Sequence, residues 1–271
     1  MPEKIIALYC FFDDLLQALH YRDDPQAQLS TAEIMTIAAV AAEFFTGNQQ
    51  AALVFLSSHH YIRPFSKSRF NRRLHRLPET LWQFALAVLA QCHEAANPDG
   101  IYLVDTFPIP VCRNIRIKRC QIYRDRTFRG YCSSKKEYYF GLKGALIVTA
   151  AGKPVELLLV PGATADISAL RRMDLNLPEG TTLCGDSGFL DRAFEQTLAE
   201  AAGLQLVVPR RANMKDPLAG WLTYLCRACR KRVETTFSQL TERFARSLHA
   251  VTPRGFELKV MLTVLAYSLL G

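Results

Sequence analysis

The sequence predicts an α/β protein, a mixed five-stranded sheet flanked by helices and preceded by an all-α amino-terminal region. Three observations carry this expectation. Apolar residues recur at three- and four-residue steps through roughly the first 96 residues. A turn cluster, Asn97-Pro98-Asp99-Gly100, then changes the character of the chain. Beyond it, three short apolar runs are followed by runs that alternate with helical patterns, the order in which a mixed sheet acquires helical cover. The break divides the chain into regions 1–98 and 99–271.

In the first region, helical periodicity covers residues 5–19, 34–45, 51–56 and 81–92. Ser30 followed by Glu33 makes a capping box ahead of the second helix, and Ser66 or Ser68 starts another that Pro78 interrupts. That helix is strongly basic. With Phe70 and Leu74 facing inward, Lys67, Arg69, Arg72 and Arg73 are left to reach DNA, as a helix laid in the major groove does. A charged helix that binds nothing has the same pattern, and a role in joining protomers is equally open.

In the second region, strands are expected at 101–104, 141–149, 154–160, 181–185 and 204–209, with Ala150-Ala151-Gly152-Lys153 as a hairpin turn. Helices are expected at 167–173, at 190–202 before Gly203, at 222–247, and from about residue 256.

Composition narrows the class. The chain has 271 residues, 49% hydrophobic and 21% charged, the balance of a soluble globular protein. Its first stretch mixes Glu3, Asp13 and Asp14 into apolar residues without a basic start or a small-residue cleavage site, so it reads as a core helix and not a secretory signal. No run approaches the roughly 18–20 apolar residues of a membrane span. A cytoplasmic protein with no membrane partner is expected. Eight scattered cysteines read as reduced thiols. Cys226 and Cys229 form one Cys-x-x-Cys, without the second pair that a zinc finger needs.

The net charge of +8 favours a polyanionic partner, because Lys and Arg that neutralise phosphates release counterions. That excess is local. Between residues 111 and 143 stand Arg113, Arg116, Lys118, Arg119, Arg124, Arg126, Arg129, Lys135, Lys136 and Lys143, against only Asp125 and Glu137, an excess equal to that of the whole chain. Tyr123, Phe128, Tyr131, Tyr138 and Tyr139 are interleaved with them, a mixture suited to gripping phosphates and stacking on unpaired bases. A solvated loop is the plainer reading of such a run.

Three acids stand where a site is expected. Asp105 follows the apolar run Tyr102-Leu103-Val104, and Asp186 follows Leu183-Cys184-Gly185 with Gly188 beyond it. Ligands bind at strand ends in open sheets, and glycines let the backbone turn and a ligand approach. Glu234 lies in a basic helix, on one stripe with Arg227, Arg230, Lys231 and Ser238, while Val233, Phe237, Leu240 and Phe244 form the apolar stripe. Singly, each has a plain explanation, a turn residue for the aspartates and an intrahelical ion pair for Glu234. Together they suit phosphoryl transfer, in which catalysis comes from metal charge and positioning.

The sequence resembles the DDE transposases of bacterial insertion sequences. The resemblance runs from about Tyr102 onward and rests on four segments: Leu103-Val104-Asp105-Thr106-Phe107-Pro108-Ile109-Pro110, residues 130–143, Gly185-Asp186-Ser187-Gly188-Phe189, and Arg232-Val233-Glu234-Thr235-Thr236-Phe237-Ser238-Gln239-Leu240. It implies a ribonuclease H-like catalytic domain, with Asp105, Asp186 and Glu234 as catalytic residues that hold two Mg²⁺ or Mn²⁺ ions. It implies double-stranded DNA, element ends and target, as substrate, a homodimer acting on paired ends, and association with the nucleoid. Arg230 matches the Arg that many such enzymes carry four residues before the Glu. Arg227 stands where they have Tyr, and Thr241 where they have Lys. Arg230 and Lys231 are then expected at the phosphate, with Arg227 as a further DNA contact. The alternatives are a related nuclease that cuts without rejoining, a transposase-derived DNA-binding protein without catalysis, and a cysteine-based redox or zinc module.

Overall fold

The computed structural model describes residues 1–133, 136–210, 218–243 and 250–271, with the side chains of Cys229 and Arg230 outside that description. The expected end of the long helix, Phe244 to residue 247, also lies outside it. The chain forms two compact units. The first comprises residues 1–88, 240–250 and 254–271, and the second residues 89–239 and 251–253. The first unit takes in residues from both the beginning and the end of the chain.

The first unit contains α1 (Pro2–Ala18), α2 (Thr31–Phe44), α3 (Gln49–Ser58), α4 (Lys67–Arg76), the start of α5 (Glu79–Ala95) and α9 (Pro253–Leu270). α2 is its centre. Its run of Ile34, Met35, Ile37, Ala38, Ala39, Val40 and Ala41 is buried on every side, so the expected helical stripe here is a full circumference. Its start is the expected capping box: Ser30 Oγ accepts the Glu33 amide, and the Glu33 carboxylate accepts the Ser30 amide. α4 begins at Ser66, whose hydroxyl accepts the Arg69 amide, and buries Phe70 and Leu74.

The second unit is built on β1 (Ile101–Cys112), β2 (Arg129–Cys132), β3 (Glu137–Thr149), β4 (Pro154–Pro161), β5 (Thr182–Cys184) and β6 (Gln205–Val207), with α6 (Asp166–Leu170), α7 (Arg192–Ala202) and α8 (Gly220–Arg243). The sheet order is β4-β3-β1-β5-β6. β3 runs antiparallel to β1 and β4, whereas β1, β5 and β6 are parallel. This is the ribonuclease H-like α/β arrangement. A sixth strand not expected from the sequence, β2, pairs with the first residues of β3 on the edge that β4 covers farther along.

One face of this sheet carries Tyr102, Val104, Ala145 and Ile147 into a core with Ala169, Leu170, Phe189 and Leu198. α8 meets the unit with Val233, buried, with Phe237 against the Phe107 ring at 5.0 Å, and with Thr236 Oγ1 donating to the Gly152 carbonyl at 3.3 Å. Val233 and Phe237, from the apolar stripe expected for this helix, are the residues that pack here. Among the described residues, no helix is long and apolar enough to cross a membrane.

Candidate active site

The parallel pairing of β1 with β5 ends at the rung Leu103–Cys184. Asp105 and Asp186 each stand two residues beyond that rung, so the strands part and deliver one carboxylate apiece to the same opening. Both line a cleft whose apolar walls include Leu103, Cys184, Cys226 and Val233. The route differs from the sequence expectation at Asp105. β1 does not end there but continues, paired with β3 alone, to Cys112. What stops at this level is β5, and the one-sided strand tolerates Pro108 and Pro110, which lack a ladder donor.

Local bonds fix both acids. Asp105 Oδ1 accepts the Thr106 amide at 2.7 Å. Asp186 caps the single turn Ser187–Phe189, its Oδ1 accepting the Gly188 amide at 2.8 Å, while the Gly185 amide donates to the Val207 carbonyl at 3.0 Å and ties the turn to β6. Gly188 is closely faced by two carboxylates. A Cβ there would stand 2.8 Å from Asp166 Oδ2 and 3.0 Å from Asp186 Oδ1.

Asp166, at the start of α6, was not singled out in the sequence. Its Oδ1 accepts the Thr106 hydroxyl at 2.8 Å and the Lys143 ammonium at 2.8 Å, and Lys143 also donates to the Thr164 carbonyl at 2.7 Å. Nothing in Thr164-Ala165-Asp166-Ile167 distinguishes this acid from an ordinary helix-start residue, so only the fold reveals it.

Glu234 does not join the aspartates. Its side chain is exposed on α8, and the neighbouring Val233 is what reaches the cleft. Among the described residues, no group of three His, Cys, Asp or Glu stands close enough to hold a metal ion. Asp105 and Asp186 suit Mg²⁺ or Mn²⁺ nonetheless, since such ions take hard oxygen ligands and need only one or two carboxylates beside water.

The expected DNA contacts divide into two kinds. Arg113, Arg116, Lys118, Arg119, Arg124, Arg126, Arg129 and Lys136 are exposed, along the segment from 113 to 136. Lys135 lies outside the described residues. Lys143, by contrast, is held in its ion pair with Asp166 and turned inward, which leaves it a bracing role and not that of a free phosphate contact. The interleaved aromatics divide too. Tyr123 stacks on Phe128 with ring centres 4.3 Å apart, and Tyr139 is buried against the Gly162 carbonyl, so only Tyr131 and Tyr138 face outward, with the Arg129 guanidinium 5.2 Å over the Tyr138 ring. On α8, Arg227 and Lys231 are exposed, and the Arg230 side chain lies outside the description.

On α4, Lys67, Arg69 and Arg72 are exposed, and Arg69 donates to Gln28 at 3.4 Å. Arg73 is a strut. Its guanidinium donates to the Leu29 carbonyl at 2.9 Å and pairs with Asp23 at 3.4 Å, stitching α4 to the segment before α2.

Residues 95–249, more than half of the chain, match the family model described as "Transposase DDE domain". The chain belongs to that family of transposases. The matched span begins near the end of α5 and takes in Asp105, Asp186 and Glu234. No curated protein and no solved structure matches the chain. As a transposase domain it is of a kind that cuts and moves DNA.

Proposed function

We propose that this transposase acts for an insertion sequence: it hydrolyses DNA at the ends of the element and joins the freed 3′-hydroxyl to target DNA, with Asp105, Asp186 and Glu234 holding two divalent ions, Mg²⁺ or Mn²⁺. The observation that carries the reading is the placement of Asp105 and Asp186 at equal distance past the last β1–β5 rung, in a chain of this family. When bound, the ions supply the charge that activates the attacking water or hydroxyl and stabilises the leaving 3′ oxygen.

The chain's own residues do the rest. Asp105 and Asp186 present fixed oxygens because each carboxylate is already hydrogen-bonded to a nearby amide, so little ordering remains to be done on binding. Glu234 turns from solvent to the cleft when DNA and metal are present, one helix position from Val233. Arg230 and Lys231 steady the scissile phosphate as electrostatic stabilisers, and Arg227 contacts the DNA beside them. The exposed cations between 113 and 136, together with Lys67, Arg69 and Arg72, hold the flanking duplex. The active form is a homodimer that brings two ends together, in the cytoplasm at the nucleoid, with the 1–98 region recognising ends or joining protomers and the 99–271 region carrying the chemistry.

The test supplies pre-cut element ends, a supercoiled target plasmid and Mg²⁺ or Mn²⁺. Joined products are the expected result. Cleavage of intact ends in a parallel reaction, without joining of the pre-cut ones, would favour a nuclease that does not rejoin. A second reading, a DNA-binding protein without catalysis, draws support from the exposed position of Glu234, and it predicts DNA binding with neither product.

A further inference from the structure

We propose that Asp166 is a positioning residue of the candidate active site, which braces the two segments that carry Asp105 and Asp186. The inference rests on the metal-site reading given above. Three elements of the site meet at this one carboxylate. Thr106 brings β1, Lys143 brings β3, and Gly188 brings the turn that carries Asp186.

The directions of the side chains define the role. Successive strand residues point to opposite faces, so Thr106 grips Asp166 on the face away from Asp105. Lys143 is the register partner of Pro108, and Thr106 that of Ala145, which puts Lys143 and Thr106 on the same face. Asp166 therefore clamps β1 from behind Asp105 and does not share its ligand. On the other side, Asp166 Oδ2 and Asp186 Oδ1 lie 2.8 Å and 3.0 Å from a single point above Gly188, so they are no farther apart than the sum of those lengths. Two carboxylates that close repel unless cations divide them. The Lys143 ammonium, 2.8 Å from Asp166 Oδ1, offsets one charge and leaves that of Asp186 to a cation in the cleft.

Asp166 acts at one remove, through Thr106 next to Asp105 and through the Gly188 turn next to Asp186, and loss of support around a ligand costs about 10–100-fold in metal affinity. The test uses the full chain without DNA. Mn²⁺ binding is followed by loss of the free-ion electron paramagnetic resonance signal, with thermal melting measured in parallel. Asp166→Asn keeps the size and the acceptor for Thr106 but removes the charge that holds Lys143. The expected result is Mn²⁺ affinity reduced about 10–100-fold, approaching that of Asp186→Ala.

Wild-type affinity in Asp166→Asn, with Asp186→Ala impaired, overturns the proposal and leaves the metal site standing. Equal binding by wild type and Asp186→Ala removes the metal site, and the proposal with it. If Asp166→Asn does not fold, Thr106→Val decides, since it deletes only the hydroxyl donor from an isosteric side chain. Weakened Mn²⁺ binding in that variant supports the clamp, whereas a lowered melting temperature with unchanged affinity makes Asp166 a purely structural residue.

Discussion

Gly188→Ala is the smallest change that should injure the site. The added methyl meets Asp166 Oδ2 at 2.8 Å and Asp186 Oδ1 at 3.0 Å, whereas ordinary contact for such a carbon begins at 3.4 Å. One or both oxygens must retreat by a few tenths of an ångström. Asp166 cannot swing freely, because Oδ1 is held by both Thr106 and Lys143. Breaking one charge-assisted bond costs about 1.5–3 kcal/mol. For a domain of this size, each kcal/mol lowers the melting temperature by roughly 2–4 °C. If Asp186 yields instead, it loses its bond to the Gly188 amide and moves relative to Asp105. A displacement of about 1 Å costs on the order of a hundredfold in rate, so a few tenths should cost on the order of tenfold. The assay is Mn²⁺-dependent nicking of supercoiled plasmid, read well below the lower midpoint so that only folded protein is compared, with melting recorded alongside. Wild-type rate together with wild-type melting temperature would refute the crowding argument, since the methyl must then fit where no room is left for it.

Two further outcomes concern other parts of the second unit. Burial first, then the neighbouring Cys120, push the Cys112 thiol up to about 11, so its thiolate share falls roughly a hundredfold below that of an ordinary cysteine at pH 8. Iodoacetamide followed by peptide mass spectrometry should therefore label exposed Cys10 and Cys92 long before Cys112, with the lag of Cys112 shrinking as pH rises toward 11, and equal rates at pH 8 would contradict this. Arg210, just past β6, forks onto Glu195 of α7 at 2.7 and 2.6 Å with both side chains largely buried, so Glu195→Ala should destabilise the second unit by about 3 kcal/mol in urea unfolding. The double variant with Arg210→Ala should lose less than the sum of the two single losses, and strict additivity would show that the pair does not act as a unit.

The parts of the fold that were legible in the sequence are those written in local chemistry. The Ser30 and Glu33 box, the Gly152 turn with its positive φ, and the Val233 and Phe237 stripe each depend on neighbours within a few residues. Asp105 and Asp186 were also visible, because apolar strand residues precede each of them. What was not legible depends on partners distant in sequence. β1 runs through two prolines because β5 stops beside it, which no local pattern states. β2 was hidden in a basic run, and its Gly130 is explained only by the Tyr139 ring and the Gly162 carbonyl, which a Cβ would meet at 2.4 and 2.5 Å. Charge counting could not separate exposed Arg113 from Lys143, which Asp166 holds, or exposed Arg72 from Arg73, which Asp23 and Leu29 hold. Spacing along α8 put Glu234 on the exposed stripe, and the structure keeps it there, one position from the cleft.

The most direct test of the central claim is DNA cleavage by the purified chain on a labelled pool of candidate element ends, with Mg²⁺ or Mn²⁺, comparing wild type with Asp105→Ala, Asp186→Ala and Glu234→Ala. Cleavage by wild type alone is expected, abolished by chelation, with DNA binding retained in all four proteins. Cleavage that persists in Asp105→Ala or Asp186→Ala would contradict it, and persistence in Glu234→Ala alone would reduce the site to the two aspartates that the fold already brings together.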